Sequence, residues 1–97
     1  MNFEEFWQEL KKLLNITNDF QTADKQKPFV AKRGIESIVI MPESSNKKYE
    51  IDKDEFRTIW NLAKEQVLNG IYKPSNFQKN TYKSSYILTL MKEILNK

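Results

Sequence analysis

The spacing of hydrophobic residues changes twice along this 97-residue chain, from helical to strand-like and back to helical. Near the N-terminus, hydrophobic side chains recur every three or four residues, which is the period of one helical face. Between residues 29 and 51 many of the hydrophobic residues are β-branched and the runs are short, which is typical of strands. The helical period then returns. This order of periods predicts an α+β fold.

The first helix is predicted over residues 3–14. Its hydrophobic stripe comprises Phe3, Phe6, Trp7, Leu10, Leu13 and Leu14. Asn2 and Glu5 have the spacing of a capping box, in which each side chain bonds to the backbone of the other residue. Lys11 and Lys12 lie toward the C-terminal end, where the helix dipole favours cations. We expect the stripe to lie in the core.

A polar segment at residues 15–28 is predicted to be irregular, and short strands follow it at residues 29–33, 35–41 and 48–51. Gly34 suits a turn or bulge between the first two strands. Residues 43–47 read Glu-Ser-Ser-Asn-Lys, which is a turn signal. The strands are expected to form a two- or three-stranded antiparallel sheet.

Two further helices complete the predicted fold. One begins after Asp52, whose spacing to Glu55 fits a cap, and ends before Gly70, which suits the C-terminal cap. Its stripe comprises Phe56, Ile59, Trp60, Ala63 and Val67. The other is expected from about residue 81 to residue 95, capped by Asn80 or Thr81. The pair is predicted to form a helix-turn-helix-like arrangement.

Length and composition restrict the fold to a single domain, residues 1–97, because a chain this short has one core. No hydrophobic run is long enough to span a bilayer. The N-terminus carries acids where a secretion signal carries bases, so we expect the protein to be cytoplasmic. Cysteine and histidine are both absent, which excludes disulfides, the usual zinc ligands and the commonest general base.

The sequence predicts a non-catalytic protein without a cofactor or metal. It has no GxSxG, phosphate-loop or GxGxxG motif. The densest acidic cluster is Asp52, Asp54 and Glu55, which could serve a divalent cation or acid/base chemistry. We prefer a structural role for it, because acids are favoured at the start of a helix.

The basic charge is concentrated in one stretch of the sequence. Residues 66–92 contain four lysines and no acid, so their net charge is +4, whereas that of the whole chain is +3. Aromatic and short hydrogen-bonding residues lie among the lysines, and this mixture suits a phosphate backbone and its bases. The predicted nucleic-acid-binding residues are Lys73, Lys79, Asn80, Thr81, Tyr82, Lys83, Ser84, Ser85 and Lys92. Lys79 and Lys83 are expected to be exposed phosphate contacts.

A second basic cluster comprises Lys25, Lys27, Lys32 and Arg33, offset by Asp24. An extended basic segment can run along phosphates, so these residues are a possible secondary contact. The alternative is a solvated loop and strand edge, where lysine also blocks unwanted strand pairing.

The layout resembles winged helix-turn-helix DNA-binding domains. The helix pair corresponds to residues 53–69 and 81–96, with a turn through Pro74 between them. A wing could include residues 43–47. The strands precede the helix pair here, whereas the common winged helix places its main hairpin after it. The resemblance implies that nucleic acid meets the start of the last helix. The residues there are Lys79, Asn80, Thr81, Lys83, Ser84 and Ser85.

Two classes of function therefore remain open. The first is a small nucleic-acid-binding protein of the kind used in regulation, phage or mobile-element biology. DNA is preferred to RNA as its ligand, RNA remains an alternative, and the aromatic residues leave single-stranded binding open. The second is a protein-interaction module, such as an inhibitor or an accessory subunit, whose basic surface meets an acidic partner.

Overall fold

The computed structural model describes residues 1–73 and 83–96. The elements in order are α1 (Phe3–Leu14), β1 (Asp19–Gln21), β2 (Pro28–Arg33), β3 (Ser37–Pro42), β4 (Tyr49–Asp52), α2 (Lys53–Leu68) and α3 (Ser84–Leu95). Consecutive strands pair antiparallel, so the sheet order is β1-β2-β3-β4. The α+β class and the order of helix, antiparallel sheet and two helices are confirmed.

The sheet has one strand more than the sequence predicts, because β1 lies in the segment predicted to be irregular. This strand has three residues and buries only Phe20, so it carries no hydrophobic period of its own. Phe20 pairs with Phe29 of β2, and their rings stack with centroids 5.7 Å apart. The Asn18 side chain bridges the backbone carbonyls of Leu14 and Ala31 at 3.0 and 2.8 Å. The position of β1 is therefore set by its contacts with β2 and with the end of α1.

Aromatic side chains join α1 to α2 in the core, as the two stripes predict. The rings of Phe6 and Trp60 stack with centroids 4.7 Å apart, and those of Trp7 and Phe56 meet edge-on at 5.4 Å. The inward side chains of the strands and those of all three helices form a single buried cluster. The helices therefore cover one face of the sheet.

Two of the three predicted N-terminal caps have different outcomes. The third, at Asn80 or Thr81, lies outside the described residues, and α3 begins at Ser84 with Lys83 in the cap position. The capping box of α1 is confirmed, since the Glu5 N–H donates to Asn2 Oδ1 at 2.9 Å and the Asn2 N–H donates to Glu5 Oε1 at 3.0 Å. The Asp52 cap is wrong, because Asp52 occupies the cap position but its side chain makes no capping bond. Separately, the Lys53 N–H donates to the Glu36 carbonyl at 3.0 Å, so the β2–β3 hairpin contacts the start of α2.

Glycine is favoured at two turns. Gly70 has φ +78°, its N–H donates to the Val67 carbonyl, and the Ile71 N–H donates to that of Gln66, which together form a Schellman motif and confirm the predicted cap. At Gly34, a Cβ would lie 2.4 Å from the Ser37 hydroxyl oxygen. A larger residue at this turn would therefore force the buried Ser37 side chain to move.

The last two helices run in the same direction. Near their N-termini, Lys83 Nζ lies 3.7 Å from Glu55 Oε1. Near their C-termini, Asn96 Nδ2 donates to the Val67 carbonyl at 2.8 Å. In a helix-turn-helix, a turn of about three to four residues joins helices that cross at about 90–120°. The resemblance to winged helix-turn-helix domains stays a prediction, and this same-direction pairing is a departure from it.

Candidate nucleic-acid interface

One end of the sheet carries two lysine-bearing connections. The β1–β2 loop and the β3–β4 turn lie at this end, because neighbouring strands run antiparallel. Four exposed lysines belong to these connections, and we call them the basic end: Lys25, Lys27, Lys47 and Lys48. Within residues 1–73 and 83–96, none of the four has a carboxylate oxygen within 4.0 Å. Their charges are therefore available to a ligand.

The N-terminal half of α3 contacts the β1–β2 loop at the same end. The Ser85 hydroxyl donates to Asp24 Oδ1 at 3.0 Å, and the Ala23 N–H donates to Thr89 Oγ1 at 2.8 Å. The Thr89 hydroxyl in turn donates to the Ser85 carbonyl at 2.8 Å. These bonds hold the loop against the helix, although the two segments are 61 residues apart in sequence.

A cleft of about 240 Å³ lies between the loop and the helix. Lys25 and Lys27 line it from the loop, and Ser84, Ser85 and Tyr86 line it from α3. Residues of the acid-free stretch 66–92 and lysines of the second basic cluster thus meet at one site. Ammonium groups beside hydroxyls suit an anion such as phosphate, although Asp24 also lines the cleft and lowers its net positive charge.

Tyr86 lines this cleft and packs against two further aromatic side chains. The Tyr86 ring stacks on Tyr49 with centroids 6.1 Å apart and meets Phe29 edge-on at 5.1 Å. Burial raises the pKa of the Tyr86 phenol above its ordinary value, and the negative charge of an ionised Tyr49 raises it further. Tyr86 is therefore a neutral phenol near neutral pH and can donate a hydrogen bond.

Two predicted contact residues are less accessible than the sequence suggests. The side chain of Ser84 is 1% exposed, so it forms the floor of the cleft and is not a surface contact. The side chain of Lys83 is 15% exposed, pairs with Glu55, and donates to the Glu50 carbonyl at 3.2 Å. The prediction that Lys83 is fully exposed is wrong, because its ammonium group secures the start of α3 to β4 and α2. Its contact with phosphate stays a prediction.

Some of the nucleic-acid contacts predicted within residues 66–92 lie away from the basic end. Lys92 Nζ lies 5.6 Å from the centre of the Tyr72 ring, near the C-terminus of α3, and exposed Lys73 follows Tyr72. Along the helix axis, Lys92 is about 12 Å beyond Ser84. Four predicted contacts lie outside the described residues: Lys79, Asn80, Thr81 and Tyr82.

The second predicted cluster is divided between the two ends of the sheet. Lys25 and Lys27 precede β2, whereas Lys32 and Arg33 end it. A strand of six residues is about 20 Å long. Arg33 Nη1 donates to Asn15 Oδ1 at 3.1 Å, which holds Arg33 at the far end beside the C-terminus of α1. Lys32 and Arg33 therefore form no part of the basic end.

Sequence reasoning did not identify Lys47 and Lys48. The sequence pattern predicts a turn at residues 43–47, but it carries no signal that links the lysine pair beside Tyr49 to the other bases. The stretch 66–92 contains no acid in the sequence, but in the folded protein acids from other segments lie beside it: Asp24 contacts Ser85, and Glu55 contacts Lys83. Charge segregation along a chain does not imply charge segregation on its surface.

The three acids at the start of α2 do not form one site in the structure. Asp54 pairs with Arg57, Glu55 pairs with Lys83, and Asp52 is exposed. In the part of the chain that the structure describes, no three acidic side chains are grouped so that they could hold a metal ion. The described helices include none with the length and hydrophobicity needed to cross a bilayer.

Comparison with known proteins identifies no relative: no family model, no curated protein and no solved structure matches this chain.

Proposed function

We propose that this protein is a small, non-catalytic nucleic-acid-binding protein that holds phosphate groups at its basic end. One observation carries the proposal. Lys25 and Lys27 line a cleft that also contains the start of α3, and Lys47 and Lys48 lie in the connection between β3 and β4 at the same end of the sheet; none of the four has a carboxylate partner among the described residues. Such a group of cations produces a local positive field, and a nucleic-acid backbone is the commonest polyanion that it would meet.

Further features of the site support this ligand. Tyr86 lines the cleft, and its neutral phenol can donate a hydrogen bond to a phosphate oxygen. The cleft lies beside the start of α3, which is the part of the chain that the winged helix-turn-helix resemblance assigns to DNA. We therefore propose DNA rather than RNA as the ligand. In the described contacts no arginine lines the cleft, so binding is expected to depend on phosphates and to discriminate weakly between sequences.

The proposal is tested by comparing two double charge reversals. Lys25→Glu with Lys27→Glu changes the basic end, and Lys32→Glu with Arg33→Glu makes the same change of charge at the far end of β2. Binding to a duplex DNA, a single-stranded DNA and an RNA is measured by fluorescence anisotropy across a salt series. We expect the first variant to weaken binding and to reduce the log–log salt slope by about 0.9 for each duplex phosphate that the variant no longer neutralises.

The second variant is expected to bind nearly as the wild type does, and circular dichroism verifies that both variants fold. Equal weakening by both variants would mean that net charge matters and the basic end does not. Absence of wild-type binding to any nucleic acid at about 50 mM salt would end the proposal. The same surface would then be assigned to an acidic protein partner.

A further inference from the structure

The first strand of the sheet has an edge that no strand among the described residues occupies. The Ala31 N–H donates to the Asn18 carbonyl at 2.9 Å, and the Thr22 N–H donates to the Lys27 carbonyl at 3.0 Å. Backbone groups alternate in direction along an antiparallel strand. The N–H and carbonyl groups of Asp19 and Gln21 therefore point away from β2, toward the open edge.

A groove of about 660 Å³ lies beside this edge. Residues of β1 and its flanks line one part of it, and Lys92 and Glu93 of α3 line another. The groove adjoins the cleft at the basic end and shares Thr22 and Pro28 with it, but the cleft contains neither Asp19 nor the last turns of α3. An extended segment lying in it could pair with β1 along the direction of the strand, about 4.8 Å away.

The charge of the groove is opposite to that of the whole protein. Its charged lining residues are Asp19, Glu43, Glu93 and Lys92, so three negative charges and one positive charge give a net charge of −2. The chain as a whole carries +3. In the described part of the chain, none of the three carboxylates has an ion-pair partner.

We propose that β1 accepts an extended, lysine- or arginine-rich segment of a partner protein as a fifth strand. Backbone hydrogen bonds to Asp19 and Gln21 supply affinity in this mode, and side chains at alternate positions supply specificity. A second copy of this chain fits less well, because pairing two β1 edges would bring Asp19 and Glu93 close to the same carboxylates of the other copy. Basic side chains in the added strand would instead meet these acids.

The probe is a synthetic peptide of alternating lysine and valine, titrated into ¹⁵N-labelled protein and followed by NMR. We expect the amide signals of Asp19 and Gln21 to shift and to saturate. A peptide of the same sequence, with alternate backbone nitrogens methylated, has the same charge but cannot form one side of the ladder, and we expect it not to bind. Equal binding of the two peptides would show simple charge attraction and overturn the proposal, as would an absence of shifts at about 1 mM peptide.

Three variants locate the binding site. Gln21→Pro removes an N–H that faces the open edge and leaves the β1–β2 ladder intact, so we expect it to abolish binding. Asp19→Lys should weaken binding by up to about fivefold, which corresponds to one exposed ion pair. Glu65→Lys makes the same charge change on an exposed site of α2 and should have no effect. Undiminished binding by Gln21→Pro, shown to be folded, would contradict strand addition.

Oligomeric state and DNA binding are measured on the same proteins. A wild-type dimer that Gln21→Pro converts to a monomer would assign the edge to a second copy and overturn the proposal of a basic peptide. Gln21→Pro should bind DNA as the wild type does, whereas the Lys25→Glu, Lys27→Glu variant should still bind the peptide. Failure of either proposal is thus distinguishable from failure of the other.

Discussion

The hydroxyl of Ser85 in the first turn of α3 donates a hydrogen bond to the carboxylate of Asp24 in the β1–β2 loop, at 3.0 Å. This bond positions Lys25 and Lys27 at the start of the helix. It also places a negative charge in a cleft that we assign to phosphate. Asp24 therefore favours order in the loop and disfavours binding of an anion.

Replacing Asp24 by Asn should strengthen DNA binding. The change removes a negative charge from the cleft and retains a side-chain oxygen that can accept the Ser85 hydrogen bond. We expect affinity to rise about twofold to fivefold at low salt, with a smaller gain at high salt because screening shortens the range of the charge. Asp19→Asn is the matched control, since Asp19 lines the other groove. Equal gains for both variants would contradict a local role for Asp24.

Trp60 should be among the most costly residues to truncate. It is 3% exposed, stacks on Phe6 and meets Phe3 edge-on. Trp60→Ala is expected to lower the free energy of unfolding by about 3–5 kcal/mol, which urea denaturation measures. Leu62 on the same helix is 50% exposed, and Leu62→Ala should cost less than about 0.5 kcal/mol. Similar losses for the two variants would contradict the assignment of Trp60 to the core.

The two cap positions should respond differently to alanine. Asn2→Ala removes one side of the capping box and should cost about 0.5–2 kcal/mol. Asp52 makes no capping bond, so Asp52→Ala should cost only the attraction of its charge to the helix dipole, about 0.3–1 kcal/mol, and this loss should disappear in about 1 M salt. Thermal unfolding at two salt concentrations separates these contributions. A salt-resistant loss at Asp52 would indicate a cap that forms in solution.

The raised pKa of Tyr86 predicts a loss of stability at alkaline pH. A phenol whose pKa is higher in the folded state than in the unfolded state stabilises the fold below its ordinary pKa, and this contribution is lost as the pH rises through the folded value. The free energy of unfolding of the wild type should therefore fall above about pH 10. Tyr86→Phe keeps the ring and should show a smaller fall over the same range. Parallel pH profiles would mean that Tyr86 does not titrate differently on folding.

Tyr82 and Lys79 lie outside the described residues and test the remaining sequence prediction. Tyr82→Ala should cost about 1–3 kcal/mol in binding to single-stranded DNA if a base stacks there, and little in binding to a duplex. Lys79→Glu should weaken binding to all sequences, since a phosphate contact does not read bases. An unchanged affinity in both variants would restrict the interface to the basic end.

Local patterns were sufficient to predict the helices and three of the strands. The stripe of α1, its capping box and the Gly70 cap depend on residues at most five apart, and a short-range pattern is legible in a sequence. The same holds for β2, β3 and β4, whose hydrophobic residues are β-branched or alternate. The same spacing predicts a cap at Asp52, and this prediction is wrong, since the Asp52 side chain makes no capping bond although its position is the cap.

The tertiary structure alone decided β1, the pairing of Lys83 and the composition of the basic end. Each depends on groups that the sequence separates: Phe20 on β2, Lys83 on Glu55, and Lys25 and Lys27 on the start of α3. A hydrophobic period specifies which face of an element is buried, but it does not specify which element covers that face. The charges around each lysine follow from that packing, so the acid-free stretch indicated a basic site without locating it.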